Sequence, residues 1–166
     1  MGINFFEPCC QTITNEVVFG LCDDPPPSNA PAYIDTTNSI GWIATVQNAN
    51  ATEVTFTAID HCIDIRRDNG EMDSRCDAML IYEDKIIFVE LKERNSGKWF
   101  KKAEDQLRAT ISTFGANNNL SSYSQKIAYV ANKLKPNFQS GNTEKIAKFR
   151  DETGFILRTE NIITMS

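Results

Sequence analysis

Three ionisable residues in the middle of the chain are spaced to act together. In Phe88-Val89-Glu90-Leu91-Lys92 apolar and polar residues alternate. On a strand, side chains two apart share a face, so Val89 and Leu91 point one way and Glu90 and Lys92 the other. Asp77 lies on the preceding apolar run, and a two-residue turn at Asp84-Lys85 pairs Glu83 with Ile86 and so sets Asp77 opposite Lys92 on the same face. A slip of one residue would carry it to the wrong face. Two carboxylates make a hard oxygen site suited to Mg²⁺ or Mn²⁺; magnesium takes one or two protein carboxylates and fills its shell with water and phosphate oxygens. Such an ion acidifies water and neutralises charge developing on phosphorus. A neighbouring ammonium can orient the water or stabilise the transition state. The combination predicts phosphodiester hydrolysis.

These residues need two paired strands and a covering element, and the surrounding sequence carries a pattern for each. Residues 75–82 and 86–92 are apolar-rich runs joined by the polar Glu83-Asp84-Lys85, the pattern of a hairpin. Phe100, Ala103, Leu107, Ile111 and Phe114 recur at three- and four-residue steps, which predicts an amphipathic helix. Residues 127–130 read as a buried strand. Asn142 or Thr143 can cap a second helix that runs to about Glu152 and is ended by Gly154. Residues 155–164 supply a final strand. Upstream, residues 54–59 alternate, and residues 11–22 and 39–47 are strand-like on either side of the Asp23-Asp24-Pro25-Pro26-Pro27 loop, which no regular ladder could run through. The expected architecture is one α/β domain with a mixed sheet: an acidic β-rich N-terminal extension over residues 1–52, and a core over residues 53–166.

Asp77 followed by Glu90-Leu91-Lys92 resembles the Asp…(Asp/Glu)-X-Lys signature of the PD-(D/E)XK nuclease superfamily, over roughly residues 53–135. Gln106, in Ala103-Glu104-Asp105-Gln106-Leu107, matches the Gln that many members carry on the following helix. The resemblance implies a restriction-endonuclease-like αβββαβ core and metal-dependent hydrolysis of nucleic acid, DNA ahead of RNA, leaving 5′-phosphate and 3′-hydroxyl ends. It implies that Asp77, Glu90 and the Leu91 carbonyl ligate the metal, that Lys92 assists the water and that Gln106 supports the site. Members usually add a Glu on a helix before the first core strand. Glu16, Glu53 and Asp60 are the candidates here, none on a clear helix, and Cys76 stands where the family name has Pro.

Charge is unevenly placed along the 166 residues. Residues 1–65 carry eight acids and no Lys or Arg, whereas the remaining 101 hold all 17 bases and 14 acids. Lys98, Lys101, Lys102 and Arg108 fall in the segment after the signature, where a basic stripe suits a phosphate backbone. The acidic first third suits a basic protein partner. This gives the alternative function, a non-catalytic interaction protein of immunity or inhibitor type on the same fold. A homodimer is the remaining partner expectation. Trp99 and Phe100 read as core anchors rather than base-stacking platforms. No apolar run approaches the ~20 residues of a membrane span, and a cytoplasmic location is expected. Five cysteines, an odd count without a secretion signal, predict reduced thiols rather than a disulfide framework.

Overall fold

The strand that carries Glu90 and Lys92, β7 (Lys85–Lys92), is buried at every residue from Ile86 to Leu91. It pairs antiparallel with β6 (Ala78–Tyr82) on one side and parallel with β8 (Gln125–Asn132) on the other. Because further layers cover both faces of the sheet, Ile86, Ile87, Phe88 and Val89 are all buried and the run is apolar without a break. The computed structural model describes residues 2–66, 68–71, 73–95, 97–135 and 143–166. Arg67 and Asn142, the latter one of the two expected helix caps, lie outside them.

β5 (Val54–Ala58) continues the antiparallel meander beyond β6, and β1 (Gln11–Thr14) pairs with its outer edge. α1 (Trp99–Asn117) crosses from β7 to β8, and α2 (Thr143–Thr153) from β8 to β9 (Ile156–Arg158), which lies parallel to β8. The six-stranded order is β1-β5-β6-β7-β8-β9. The periodic face of α1 supplies Phe100, Ala103, Leu107, Ile111 and Phe114 to a cluster with Met79, Ile86 and Phe88 of the sheet and Phe149 of α2, which places both helices on one face. Phe88 and Phe114 meet edge-on at 5.4 Å, and each fully buried phenylalanine contributes about 1.5–3 kcal/mol. Gly154, at φ 79°, ends α2 and donates its N–H to the Arg150 carbonyl at 2.8 Å, a left-handed cap that a glycine adopts without steric cost.

The opposite face is covered by a second mixed sheet in the order β10-β4-β2-β3, built from β2 (Val18–Cys22), β3 (Tyr33–Asp35), β4 (Ala44–Gln47) and β10 (Ile162–Thr164). Phe19, Leu21, Val46 and Ile163 of this sheet share one core with Phe56, Leu80, Val89 and Tyr129 of the first. The protein is therefore mixed α/β, with two mixed sheets and two α-helices among the described residues. No helix of the described residues is long and apolar enough to cross a membrane.

Several expectations are corrected. Residues 11–22 are two strands, and they enter different sheets: β1 joins the six-stranded sheet of the core, and β2 the four-stranded one. Residues 39–41 form a 3-10 turn before β4, and β3 was not anticipated. The last segment is likewise two strands, β9 in one sheet and β10 in the other. Asn161 forms the seam between them. Its side-chain carbonyl accepts the Asn132 N–H, its amide donates to the Asn132 carbonyl, both at 2.9 Å, and its main-chain carbonyl accepts the Thr45 N–H at 2.8 Å. Among the described residues no α-helix precedes Trp99, so the first α of αβββαβ is absent and the order from β5 is βββαβ.

Cys10 and Cys62, 52 residues apart, form a disulfide where reduced thiols were expected. The β1–β5 ladder sets Gln11 opposite Thr57 and so brings the turns beyond them together, a long-range pairing that cysteine spacing does not reveal. Closing a loop of this length contributes about 2–4 kcal/mol in an oxidised chain.

Candidate functional site

The turn between β6 and β7 is Glu83-Asp84, with Glu83 at φ 51°, and it pairs Tyr82 with Lys85. This differs by two residues from the register expected from Asp84-Lys85. A slip of two keeps every side chain on its face, and Asp77, one residue before β6, comes level with Glu90 instead of Lys92. The Asp77 N–H donates to the Val89 carbonyl at 3.2 Å, and its carboxylate accepts the Leu91 N–H at 2.7 Å. Leu91, two residues beyond Val89, presents its peptide on the same edge of β7, and its carbonyl faces the gap where β6 has not yet begun.

Lys92 reaches back along its own strand to Glu90, with Nζ 2.9 Å from Oε2, and across to α1, donating to Gln106 Oε1 at 2.8 Å. Gln106 in turn donates from Nε2 to the Arg75 carbonyl at 3.2 Å. One turn on, Thr110 Oγ1 accepts the Cys76 N–H at 2.7 Å. The helix is thus stitched to the segment that delivers Asp77. All four residues singled out in the sequence, Asp77, Glu90, Lys92 and Gln106, line one cleft of about 220 Å³.

The pair of acids is deeply enclosed: Asp77 is 5% exposed and Glu90 2%. Glu90 with Lys92 is consequently no solvated surface pair. Burial pushes the Glu90 carboxyl up to about 7, against the opposing pull of Lys92. Burial, with the Glu90 charge beside it, holds the Asp77 carboxyl well above the usual carboxylate range. Level on neighbouring strands, the two carboxyls interact directly. With both ionised, Glu90 Oε1 is buried and meets no donor from the chain, a costly arrangement that either a proton on Asp77 or a cation relieves.

Two acids missing from the family-like signature also line the cleft. Asp60 follows β5 but is held by Arg75, at 3.0 Å to Nε and 2.9 Å to a terminal guanidinium nitrogen, with His61 at 3.5 Å. Glu16 and Glu53, the other candidates for an upstream acid, are exposed and not part of this cleft. Asp23 comes from the proline-rich loop of the first third, together with Asp24, Pro25 and Pro26. Its carboxyl is raised by burial and by the nearby Asp60 charge. Sequence reasoning missed Asp23 because no local pattern links residue 23 to residues 77–92; only the stacking of the second sheet on the first does.

The basic residues divide. Lys98 and Lys102, one helical turn apart, line a second hollow of about 260 Å³ with Lys92, Arg94 and Trp99, and Lys92 and Arg94 border both hollows. Lys101 is exposed and paired with Asp105 at 2.8 Å. Arg108 does not join them. It binds Glu152 at 2.8 Å, Glu104 at 3.2 Å and Asp105 at 3.3 Å, and lies over the Phe149 ring, tying α1 to α2. No family model, curated protein or solved structure matches this chain.

The donor set defines the chemistry available. Asp77, Glu90 and the Leu91 carbonyl are hard oxygens of the kind Mg²⁺ or Mn²⁺ takes, and the unpartnered Glu90 oxygen fits such an ion. Among the described residues no third carboxylate closes on the pair within 4.8 Å, so the site offers two acids.

Proposed function

We propose that this protein is a metal-dependent nuclease that hydrolyses phosphodiester bonds in DNA. The observation that carries the reading is the buried Asp77–Glu90 pair with one orphaned carboxylate oxygen, set beside Lys92. The βββαβ order from β5 to β8, with Gln106 on the connecting helix, supports the restriction-endonuclease-like assignment.

Asp77, Glu90 and the Leu91 carbonyl would hold the divalent ion, which when bound supplies charge neutralisation at a phosphoryl centre. Lys92 has three N–H donors, of which two are committed to Glu90 and Gln106. The third is left for a phosphate oxygen or for the attacking water. Gln106 fixes the direction of that donor by holding Nζ while its own amide is anchored on Arg75. Enclosure strengthens each of these interactions, because a charge-assisted hydrogen bond weakens with access to water. Lys98, Lys102 and Arg94, in the adjoining hollow, would hold the backbone on its way to Lys92.

The test is a cleavage assay on supercoiled plasmid, single-stranded DNA and RNA with Mg²⁺, Mn²⁺ or chelator. DNA nicking that requires the metal is expected; no cleavage of any substrate in either metal overturns the reading. Replacing both Lys98 and Lys102 by alanine is expected to weaken binding of a labelled oligonucleotide and to make the plot of log affinity against log salt shallower by about 2, near one for each phosphate no longer neutralised. Fluorescence anisotropy across a salt series in Ca²⁺ checks this.

A further inference from the structure

We infer that Cys9, Cys10 and Cys62 form a zinc-binding trio whenever the Cys10–Cys62 disulfide is reduced. Their three sulfur atoms lie within 4.8 Å of one another. Four-coordinate zinc with Zn–S bonds of about 2.3 Å spaces its thiolates about 3.8 Å apart, and Cys9 Sγ already stands 3.9 Å from Cys10 Sγ. Neighbouring residues on a strand would point to opposite faces. Here the 3-10 turn Pro8–Cys10, closed by the Cys10 N–H on the Glu7 carbonyl at 3.0 Å, removes that alternation.

The framework that gathers the sulfurs does not depend on the bond between two of them. β1 leaves the 3-10 turn directly into its ladder with β5, and beyond β5 the N–H groups of Cys62 and Ile63 close a tight turn on the Ile59 carbonyl at 3.1 and 2.8 Å. Reduction therefore leaves three thiols side by side. Cys9 is exposed, Cys62 half-buried and Cys10 buried, so an ion enters from the Cys9 side and solvent fills the fourth position. Thiolates select zinc over the hard ions that suit a carboxylate pair, which makes this site independent of the Asp77–Glu90 cleft.

The chemistry is a two-electron reduction followed by ligand exchange. A phosphine takes oxygen from water to become its oxide, while the disulfide takes up two hydrogens. Zn²⁺ then displaces three thiol protons to give a tris-thiolate complex of charge −1. Disulfide and zinc are mutually exclusive states of the same trio.

The experiment titrates Co²⁺, a spectroscopic stand-in for zinc, into the full chain before and after phosphine reduction. In the reduced chain one Co²⁺ per molecule with thiolate charge-transfer absorption in the near ultraviolet is expected, bleached when Zn²⁺ replaces it; the oxidised chain shows no such band. Cys9→Ser leaves the disulfide pair and both strands intact, and it is expected to weaken binding by more than roughly a hundredfold, since loss of even an outer-shell partner costs about 10–100-fold. The inference is overturned if the reduced chain gives no thiolate band, or if Cys9→Ser or the oxidised chain binds as tightly. Loss of the folded circular-dichroism signal on reduction overturns it as well, because the ladder must hold the sulfurs together unaided.

Discussion

Glu90→Gln should reduce metal-dependent DNA cleavage by about a thousandfold and at the same time raise the melting temperature of the metal-free chain at pH 8. Both effects come from one carboxylate. Removing a single preorganised electrostatic group from an active site costs about 10²–10³ in rate, and Glu90 is both half of the buried acid pair and the ionic partner of Lys92, at 2.9 Å. The amide has the shape of the acid, so packing is conserved. Its oxygen still accepts from Lys92, and its nitrogen puts a donor where the native chain has the Glu90 oxygen that meets none, which removes the cost of a second buried charge. Plasmid nicking read alongside thermal unfolding separates the possibilities. A variant that still nicks sinks the site assignment, and one that loses activity together with stability has merely been damaged.

The metal-free protein is expected to become less stable as pH rises from about 5 through about 7, the reverse of ordinary acid denaturation. The Glu90 carboxyl titrates at about 7 in the folded chain against an ordinary value of 4.5. Between those values the folded state keeps a proton that the unfolded state has released. Folding therefore takes up a proton, and raising the pH penalises it. Below 4.5 both states are protonated and the contribution is fully present; above about 7 it is gone. Asp77 shifts in the same direction, through burial and the Glu90 charge, and adds to the decline. The Glu90 gap corresponds to on the order of 3 kcal/mol, or roughly 10 °C in melting temperature for a chain of this size. A divalent cation should abolish the decline by taking the place of the proton on the acid pair. Scanning calorimetry from pH 5 to 8.5, with and without Mg²⁺, measures it, and a metal-free chain whose melting temperature climbs across this window would refute the pairing of the two acids.

The site's inner part was legible because it is written in two periods. Alternation in residues 88–92 put Glu90 and Lys92 on one face, and three- and four-residue spacing put Gln106 on a helix that follows at once. The hairpin register was misjudged by two residues because Asp84 can close the turn with the residue on either side of it, and only the Glu83 backbone at positive φ decides it. The face survived because the error was even. Contributions from far away in the chain were not legible: Asp23 reaches the cleft by the stacking of one sheet on another, and Cys10 meets Cys62 through the ladder that pairs Gln11 with Thr57. Arg108 shows the converse. It shares a helix with Lys102, but Glu104 and Asp105 one turn back and Glu152 of α2 claim it for the helix interface, and of these only Glu152 is not written in the spacing of its own helix.

β7 is hydrogen-bonded to β6 on one edge and along all eight of its residues to β8 on the other. No local fraying can release its middle amides, so those of Ile87, Phe88 and Val89 will exchange with deuterated solvent only when the entire molecule unfolds. The rigid half of the cleft thus lasts as long as the fold itself, and whatever adjustment a bound molecule requires has to come from that molecule or from the loop that carries Asp23.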